Sequence, residues 1–357
     1  MRAVAVEDLK PEMVLARSIY TSDGRALLMK GVQLKPFYVQ RLKECGITFV
    51  YIQDDRYGHI EVDDVVREET RVQALQAMRA TMEESAKGPV KLQSRRVSQI
   101  INDIMDELLA QKELLVQLTD IRSLYDYTFG HCVSVAVFAL MTGISMGYNQ
   151  LRLKQLGVGA LLHDVGKSRI APEIINKPGR LTDAEYAEIR KHTVYGYEIL
   201  VHSQDIHLLS AHVAFQHHER FNGTGYPRGL KGEEIHEYAR ITAVADVYDA
   251  MSTDRSYRKR HLPHEVVEFI VASSGSLFDP QVVKTFIRHV ALYPVGTVVK
   301  LNTGQIGIVI KAYPDFPTRP RVRLVRDPHG QELSSYIDLD LTEDLTTFIV
   351  EVLPSLD

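Results

Sequence analysis

With 357 residues, 45% of them hydrophobic, the chain is long enough for two or three domains and too apolar for global disorder. A formal charge of −4 provides no strongly basic surface, so no nucleic-acid polymer is expected as a partner. No apolar run reaches the roughly 18 residues of a membrane span, and MRAVAVEDLKPEM meets charge and proline early, so a cytoplasmic chain without membrane contact is expected.

In chain order, residues 1–60 read as a small β-rich N-terminal domain with one helix, an α+β unit. Segments 16–20 and 25–29 flank Asp23–Gly24 as a hairpin would. PFYVQRLKECG then reads as a helix opened by Pro36 and stopped by Gly46, followed by a strand at 47–52. Residues 61–120 form a helical connector divided at Gly88–Pro89, with 86–94 as the linker. Its second helix, 96–118, places Ile100, Ile101, Ile104, Leu108 and Leu115 on one apolar face.

Residues 121–290 read as a central all-α bundle with helices at 131–145, 151–164, 182–202, 205–219, 234–252, 263–273 and 279–289. After Pro294 the pattern changes to β-branched alternation with glycine turns, in GTVVKLNTGQIGIVI and PRVRLVRD. Residues 291–357 are therefore expected to form a small β-barrel-like domain or antiparallel sheet. The expected architecture is multidomain and mainly α. Cys45 and Cys132 lie far apart and form no CxxC pair, so both are expected to pack as small apolar residues.

The central segment carries His131, His163–Asp164, His192, His217–His218 and Asp246, almost all within helical patterns. These imidazoles and carboxylates can supply nitrogen and oxygen ligands to two divalent metals. His163–Asp164 ends the apolar run GVGALLH, where polar groups are costly unless paired or metal-bound. A lone His–Asp pair at a helix end is ordinarily a cap; the other five positions change that reading. Asp164 has two carboxylate oxygens and can bridge two ions, and Lys167, one turn on, can neutralise a phosphate or orient water.

Asp246 lies in the apolar run ITAVADVYDAMS and needs a cation or donors around it. Asp249, nearly one turn later, is expected to support or cap rather than ligate. Asn222–Gly223–Thr224–Gly225–Tyr226–Pro227 makes a sharply shaped loop directly after the paired histidines, a border for a substrate pocket. Arg255 and Arg258 can share a substrate phosphate, although without a metal site they would read as a solvated basic surface.

Three motifs, His163–Asp164–xx–Lys167, HHERFNGTGYP at 217–227 and DVYDAMSTDRSYR at 246–258, occur in order. Across about residues 120–290 the chain resembles the HD-GYP phosphohydrolases of the HD superfamily. The flanking N-terminal β-segment and YPVGTVVKLNTGQIGIV also look like modules that accompany this domain in bacteria.

The resemblance implies an HD-type helical bundle and a metal-dependent phosphodiesterase acting on cyclic di-GMP, giving pGpG and, after a second cleavage, GMP. It implies one metal held by His131, His163, Asp164 and Asp246, and a second held by Asp164, His192, His217 and His218. Lys167 would contact the water between the metals or a phosphate oxygen, while Arg255 and Arg258 would take the substrate phosphates. Gly225, Tyr226 and Pro227 would shape the substrate loop and partner contacts.

Some relatives hold a third metal with a glutamate one turn before the first histidine. Tyr127 stands at that position here, beside Asp126, so two metals are expected, iron or manganese by resemblance. Other readings are a hydrolase for another cyclic dinucleotide or nucleotide, or a non-catalytic module that senses cyclic di-GMP or a protein. A homodimer or signalling-protein partner fits the terminal domains.

Overall fold

The computed structural model describes the chain apart from residues 21–25, 46, 48, 55–64, 87–93, 112–126, 178, 204, 253–260, 354–355 and 357. At the N-terminus, β1 (Arg2–Ala5), β2 (Val14–Leu15), β3 (Ile19–Tyr20) and β4 (Ala26–Leu28) precede α1 (Pro36–Glu44) and β5 (Phe49–Gln53). β5 is the centre of a sheet ordered β1-β5-β2, and β3 pairs antiparallel with β4 in a separate ribbon. The ribbon fits the expected hairpin, whose Asp23–Gly24 turn lies outside the described residues. Proline opens α1, and Leu42 turns inward onto Val4, Leu15 and Ile52 in a small core.

Ten helices separate the two β regions among the described residues: α2 (Glu68–Ser85), α3 (Ser94–Ala110), α4 (Tyr127–Ser145), α5 (Gln150–Leu161), α6 (Pro172–Ile175), α7 (Asp183–Arg190), α8 (His192–Val201), α9 (Leu208–Gln216), α10 (Glu237–Ser252) and α11 (Pro263–Ala272), with α12 (Pro280–Phe286) closing the series as an eleventh element beside the C-terminal region. α4 is the hub, packed on α5 and α10, while α9 packs on α5, α8 and α10. Ala136, Leu140, Leu156 and Val244 join Ile101, Ile104 and Leu108 of α3 in one continuous core that also takes Ala74 and Met78 of α2. Truncating any of the larger aliphatic members to alanine should cost about 2–5 kcal/mol. Gly88–Pro89 and Leu115 lie outside the described residues. No helix among the described residues is long and apolar enough to cross a membrane.

Two expectations are corrected in this region. The helix expected at 182–202 is two helices, with Lys191 between them. α7 starts with a reciprocal cap in which Thr182 and Glu185 satisfy each other's backbone N–H groups. His163 and Asp164 follow the end of α5 and lead into a 3-10 turn at Val165–Arg169; they do not lie within the helix expected at 151–164.

The C-terminal strands are β6 (Val298–Leu301), β7 (Ile306–Lys311), β8 (Arg321–Arg326), β9 (Glu332–Asp340) and β10 (Ile349–Leu353). They form an open antiparallel sheet ordered β10-β6-β7-β8-β9, which matches the expected antiparallel sheet and corrects the expected barrel-like closure. No β9–β10 ladder closes it among the described residues. Residues adjacent in sequence bury into different clusters: Val298, Ile308 and Val325 on one side, Val299, Val309 and Leu324 on the other. A sheet with apolar cover on both faces has no need to curl around a single interior.

Candidate metal centre

Five elements deliver the expected ligands to one place. α4 carries His131, the turn after α5 carries His163 and Asp164, α8 begins at His192, the turn directly after α9 carries His217–His218, and α10 carries Asp246. His131, His163, Asp164, His192, His217 and Asp246 are all buried.

The approach of the Asp164 turn to α8 depends on Gly166. A Cβ there would lie 1.9 Å from the His192 carbonyl oxygen and 2.4 Å from the Gly196 nitrogen, so only glycine lets the two backbones meet.

Asp164 divides its carboxylate between two sets of side chains. Oδ2 lies 3.3 Å from His163 Nε2 and 2.5 Å from Lys167 Nζ, while Oδ1 lies 3.4 Å from His192 Nε2 and 3.8 Å from His217 Nε2. Ligand atoms of Asp164, His192, His217 and His218 all lie within 4.8 Å of one another, and so do those of His131, His163 and Asp164. Asp246 connects the sets, with Oδ1 3.0 Å from His131 Nε2 and Oδ2 3.9 Å from His218 Nδ1.

The imidazole tautomers follow from their outer contacts. Nδ1 of His163 bonds the Ala160 carbonyl at 2.7 Å, Nδ1 of His192 bonds Ile189 at 2.6 Å, and Nδ1 of His217 bonds Val213 and Ala214 at 3.1 Å. A carbonyl can only accept, so each Nδ1 donates and, in the neutral ring, leaves Nε2 as a bare acceptor. His192 Nε2 and His217 Nε2 then face each other at 3.3 Å with no proton to share. His163 Nε2 and Asp164 Oδ1 are buried without a hydrogen-bond partner. Converging acceptors of this kind are costly until a cation sits among them, so the cluster fits a metal and could hold one.

Electrostatics sharpen the same point. Burial pulls His192 down to about 4 and His218 down to about 3, and holds His217 well below the usual imidazole range. For His131 burial also pulls down, but hydrogen bonds to Asp246 and Asp249 outweigh it and raise the group to about 9. Asp249 Oδ2 lies 2.7 Å from His131 Nδ1, orienting that ring from behind. Burial would raise Asp164, yet Lys167 and the neighbouring imidazoles keep it well below the usual carboxylate range. Lys167 stays cationic, because Asp164 outweighs the cost of burial. Cys132 follows His131 on α4 but is fully buried in the core, and burial pushes its thiol well above its usual range.

The loop after α9 is built against this cluster. Glu219, buried, accepts from the backbone N–H groups of Arg228 at 2.7 Å and Leu230 at 3.0 Å and so closes the loop on itself. Gly225 is required by contact: a Cβ there would fall 2.3 Å from Arg220 N and 2.5 Å from Glu219 Cα. The Tyr226 backbone N–H donates to the His218 carbonyl at 3.2 Å, and the Tyr226 ring rests 4.8 Å from the His218 ring. Pro227 follows through a cis peptide bond and is exposed.

The structure thus gathers His131, His163, Asp164, Lys167, His192, His217, His218 and Asp246, and sets Gly225, Tyr226 and Pro227 at the edge. Arg255, Arg258 and Asp126 lie outside the described residues, as does the side chain of Tyr127. Gly166, Glu219 and Arg190 belong to the site although they stand apart from the ligand pattern in the sequence. A glycine two residues after Asp164 was the only signal for the first; a carboxylate directly after the paired histidines marked the second.

A profile described as HD domain matches residues 97–282, just over half of the chain, and one described as KOW domain associated with HD domain matches 298–355. The cyclic di-GMP phosphodiesterase PA4108 of Pseudomonas aeruginosa is 36% identical over 269 residues, 72% of this chain and 64% of that protein. A cyclic di-GMP phosphodiesterase of Thermotoga maritima is 35% identical over 205 residues, 57% of this chain and 55% of that protein. The 3'3'-cGAMP-specific phosphodiesterase 2 of Vibrio cholerae is 34% identical over 191 residues, 53% of this chain and 37% of that protein. The chain spans less than two thirds of the length of each of these relatives. Since the HD profile runs from α3 into α12 and takes in every residue of the cluster, the chain belongs to the HD domain family, in the HD-GYP branch that its motifs name.

Proposed function

We propose that the chain is a metal-dependent phosphodiesterase that opens cyclic di-GMP to linear pGpG. The observation that carries this reading is the division of the Asp164 carboxylate between two sets of imidazoles, an arrangement suited to a pair of ions. His131, His163, Asp164 and Asp246 would hold one ion, and Asp164, His192, His217 and His218 the other. Nitrogen and carboxylate donors without a thiolate suit iron or manganese.

When bound, the ions would acidify a water and offset phosphate charge. Asp164 keeps its carboxylate ionised and shared. Lys167, partly exposed and paired to Asp164 Oδ2, presents its ammonium to a phosphate oxygen, where negative charge grows as water adds to phosphorus. The P–O3' bond breaks, and the departing 3'-oxygen takes up a proton. Arg255 and Arg258 would steady the phosphates.

The relatives carry the names of two substrates, so the test compares cyclic di-GMP, 3'3'-cGAMP and cyclic di-AMP side by side. Protein prepared without oxygen and with its metal quantified is assayed, and products are separated by chromatography. The expected result is conversion of cyclic di-GMP with about two ions per chain, and the product peak tells whether GMP follows pGpG. No conversion at full metal occupancy would overturn the reading; conversion confined to another dinucleotide would reassign the substrate.

A further inference from the structure

Arg190 ends α7, two residues before the ligand His192, and its guanidinium lies 4.4 Å from the centre of the Tyr226 ring. That ring also touches His218, so Arg190 stands one side chain outward from the metal cluster, at its lip. Arg190 is exposed, and no carboxylate among the described residues forms an ion pair with it. Its neighbour Lys191 pairs instead with Glu188 at 2.5 Å.

The platform under the guanidinium is firm. The Tyr226 backbone is tied to the His218 carbonyl, and Glu219 closes the rest of the loop. Burial raises the Tyr226 phenol, so the ring stays neutral.

A guanidinium laid on an aromatic ring uses its face for the cation–π contact and leaves its N–H groups pointing outward in its own plane. Those donors form a fork that matches two acceptors lying side by side in that plane. Charge at the reacting phosphate is already served by Lys167, which is closer to the cluster and paired to Asp164. With a phosphodiester seated at the cluster, the groups it joins, the nucleosides, would be what lies one side chain further out, beside Arg190. Among purine edges, only guanine offers two adjacent acceptors, O6 and N7; adenine places the N6 donor beside N7.

We infer that Arg190 reads the O6/N7 edge of a guanine base and sets a preference for guanine over adenine at this site. The inference rests on the reading of the site as a cyclic dinucleotide phosphodiesterase. Tyr226 is in this account a positioning residue whose ring lies beneath the guanidinium, and His218 links both to the cluster.

The test uses metal-loaded full chain, with Arg190→Ala and Arg190→Lys beside the unaltered protein. KM and kcat are measured for cyclic di-GMP, and cyclic di-AMP is measured as a competing ligand. Both variants are expected to raise KM for cyclic di-GMP about tenfold, since lysine has no fork, with cyclic di-AMP affinity changed less than about twofold. Bound metal and kcat should stay as in the unaltered protein.

Equal weakening toward both dinucleotides, with lysine restoring affinity, would mean a phosphate contact and overturn the inference. Loss of bound metal or of kcat with KM unchanged would reduce Arg190 to a brace for His218, and would also overturn it. An active unaltered protein with indifferent variants sinks the role of Arg190 alone. An unaltered protein that neither binds nor converts cyclic di-GMP sinks the underlying function as well.

Discussion

The two halves of the His/Asp cluster share Asp164 but differ in what already balances them. Around His131, both ring nitrogens meet carboxylates, Asp249 at 2.7 Å and Asp246 at 3.0 Å, and the ring favours the protonated form. Around His192, His217 and His218 the imidazoles crowd one another, and burial keeps them neutral. A cation entering the second half displaces no proton, whereas one entering the first must take the place of the His131 proton. One site therefore presents two different electrostatic costs to otherwise similar ions.

The largest effect should come from removing what the halves share. On the proposed two-ion reading, Asp164→Ala is expected to lose both ions and to lower turnover by more than about a thousandfold, because its carboxylate faces both halves. Metal analysis and product chromatography check this, and a variant retaining two ions and activity would break the shared-bridge account. Gly166→Ala separates the halves differently. The new methyl would overlap the His192 carbonyl, so α8 must retreat, at a cost of roughly 3 kcal/mol and with the second half losing its ion first. A thermal melt paired with metal content reads both outcomes.

A smaller change targets the first half alone. Asp249→Asn keeps a hydrogen-bonding group behind His131 but removes its charge, and should weaken one ion by about ten- to a hundredfold. Competition against a graded series of chelators should therefore resolve two affinities, only one of them shifted.

The smallest effect is on pH dependence. The folded His131 value of about 9 lies above the ordinary 6.5, so its stabilisation is complete below pH 6.5 and is lost as pH rises through about 9. Metal-free protein should melt a few degrees lower at pH 9.5 than at pH 6.5, judged against His131→Gln. A flat profile would mean that the two halves are alike in charge.

Much of this arrangement was legible in the chain. A buried face at Ile100, Ile101, Ile104 and Leu108 announced α3, and Asp246 stood out as a carboxylate in an apolar run. The His163–Asp164 pair was legible as chemistry but not as geometry, because periodicity extends a helix through residues that tertiary contact turns into a 3-10 turn. The His131–Asp249 pairing spans 118 positions, and no local pattern encodes it. The break at Lys191 escaped because both sides share helical composition. Sheet closure is decided by whether β9 meets β10, which alternation within single strands does not express. Arg190 looked like any charge at an exposed helix end until the fold laid it on Tyr226.

Cys132, next to His131 on α4, bears on which elements the centre can attract. Its side chain is fully buried in the helical core, and its sulfur is not among the donor atoms that converge on the cluster. Its thiol remains protonated, so the softest donor near the cluster is withheld from it. Copper(I) and other thiophilic ions find only imidazole and carboxylate there. Alkylating agents and mild oxidants, which attack thiolates, likewise have no foothold beside the centre while the helix stays folded.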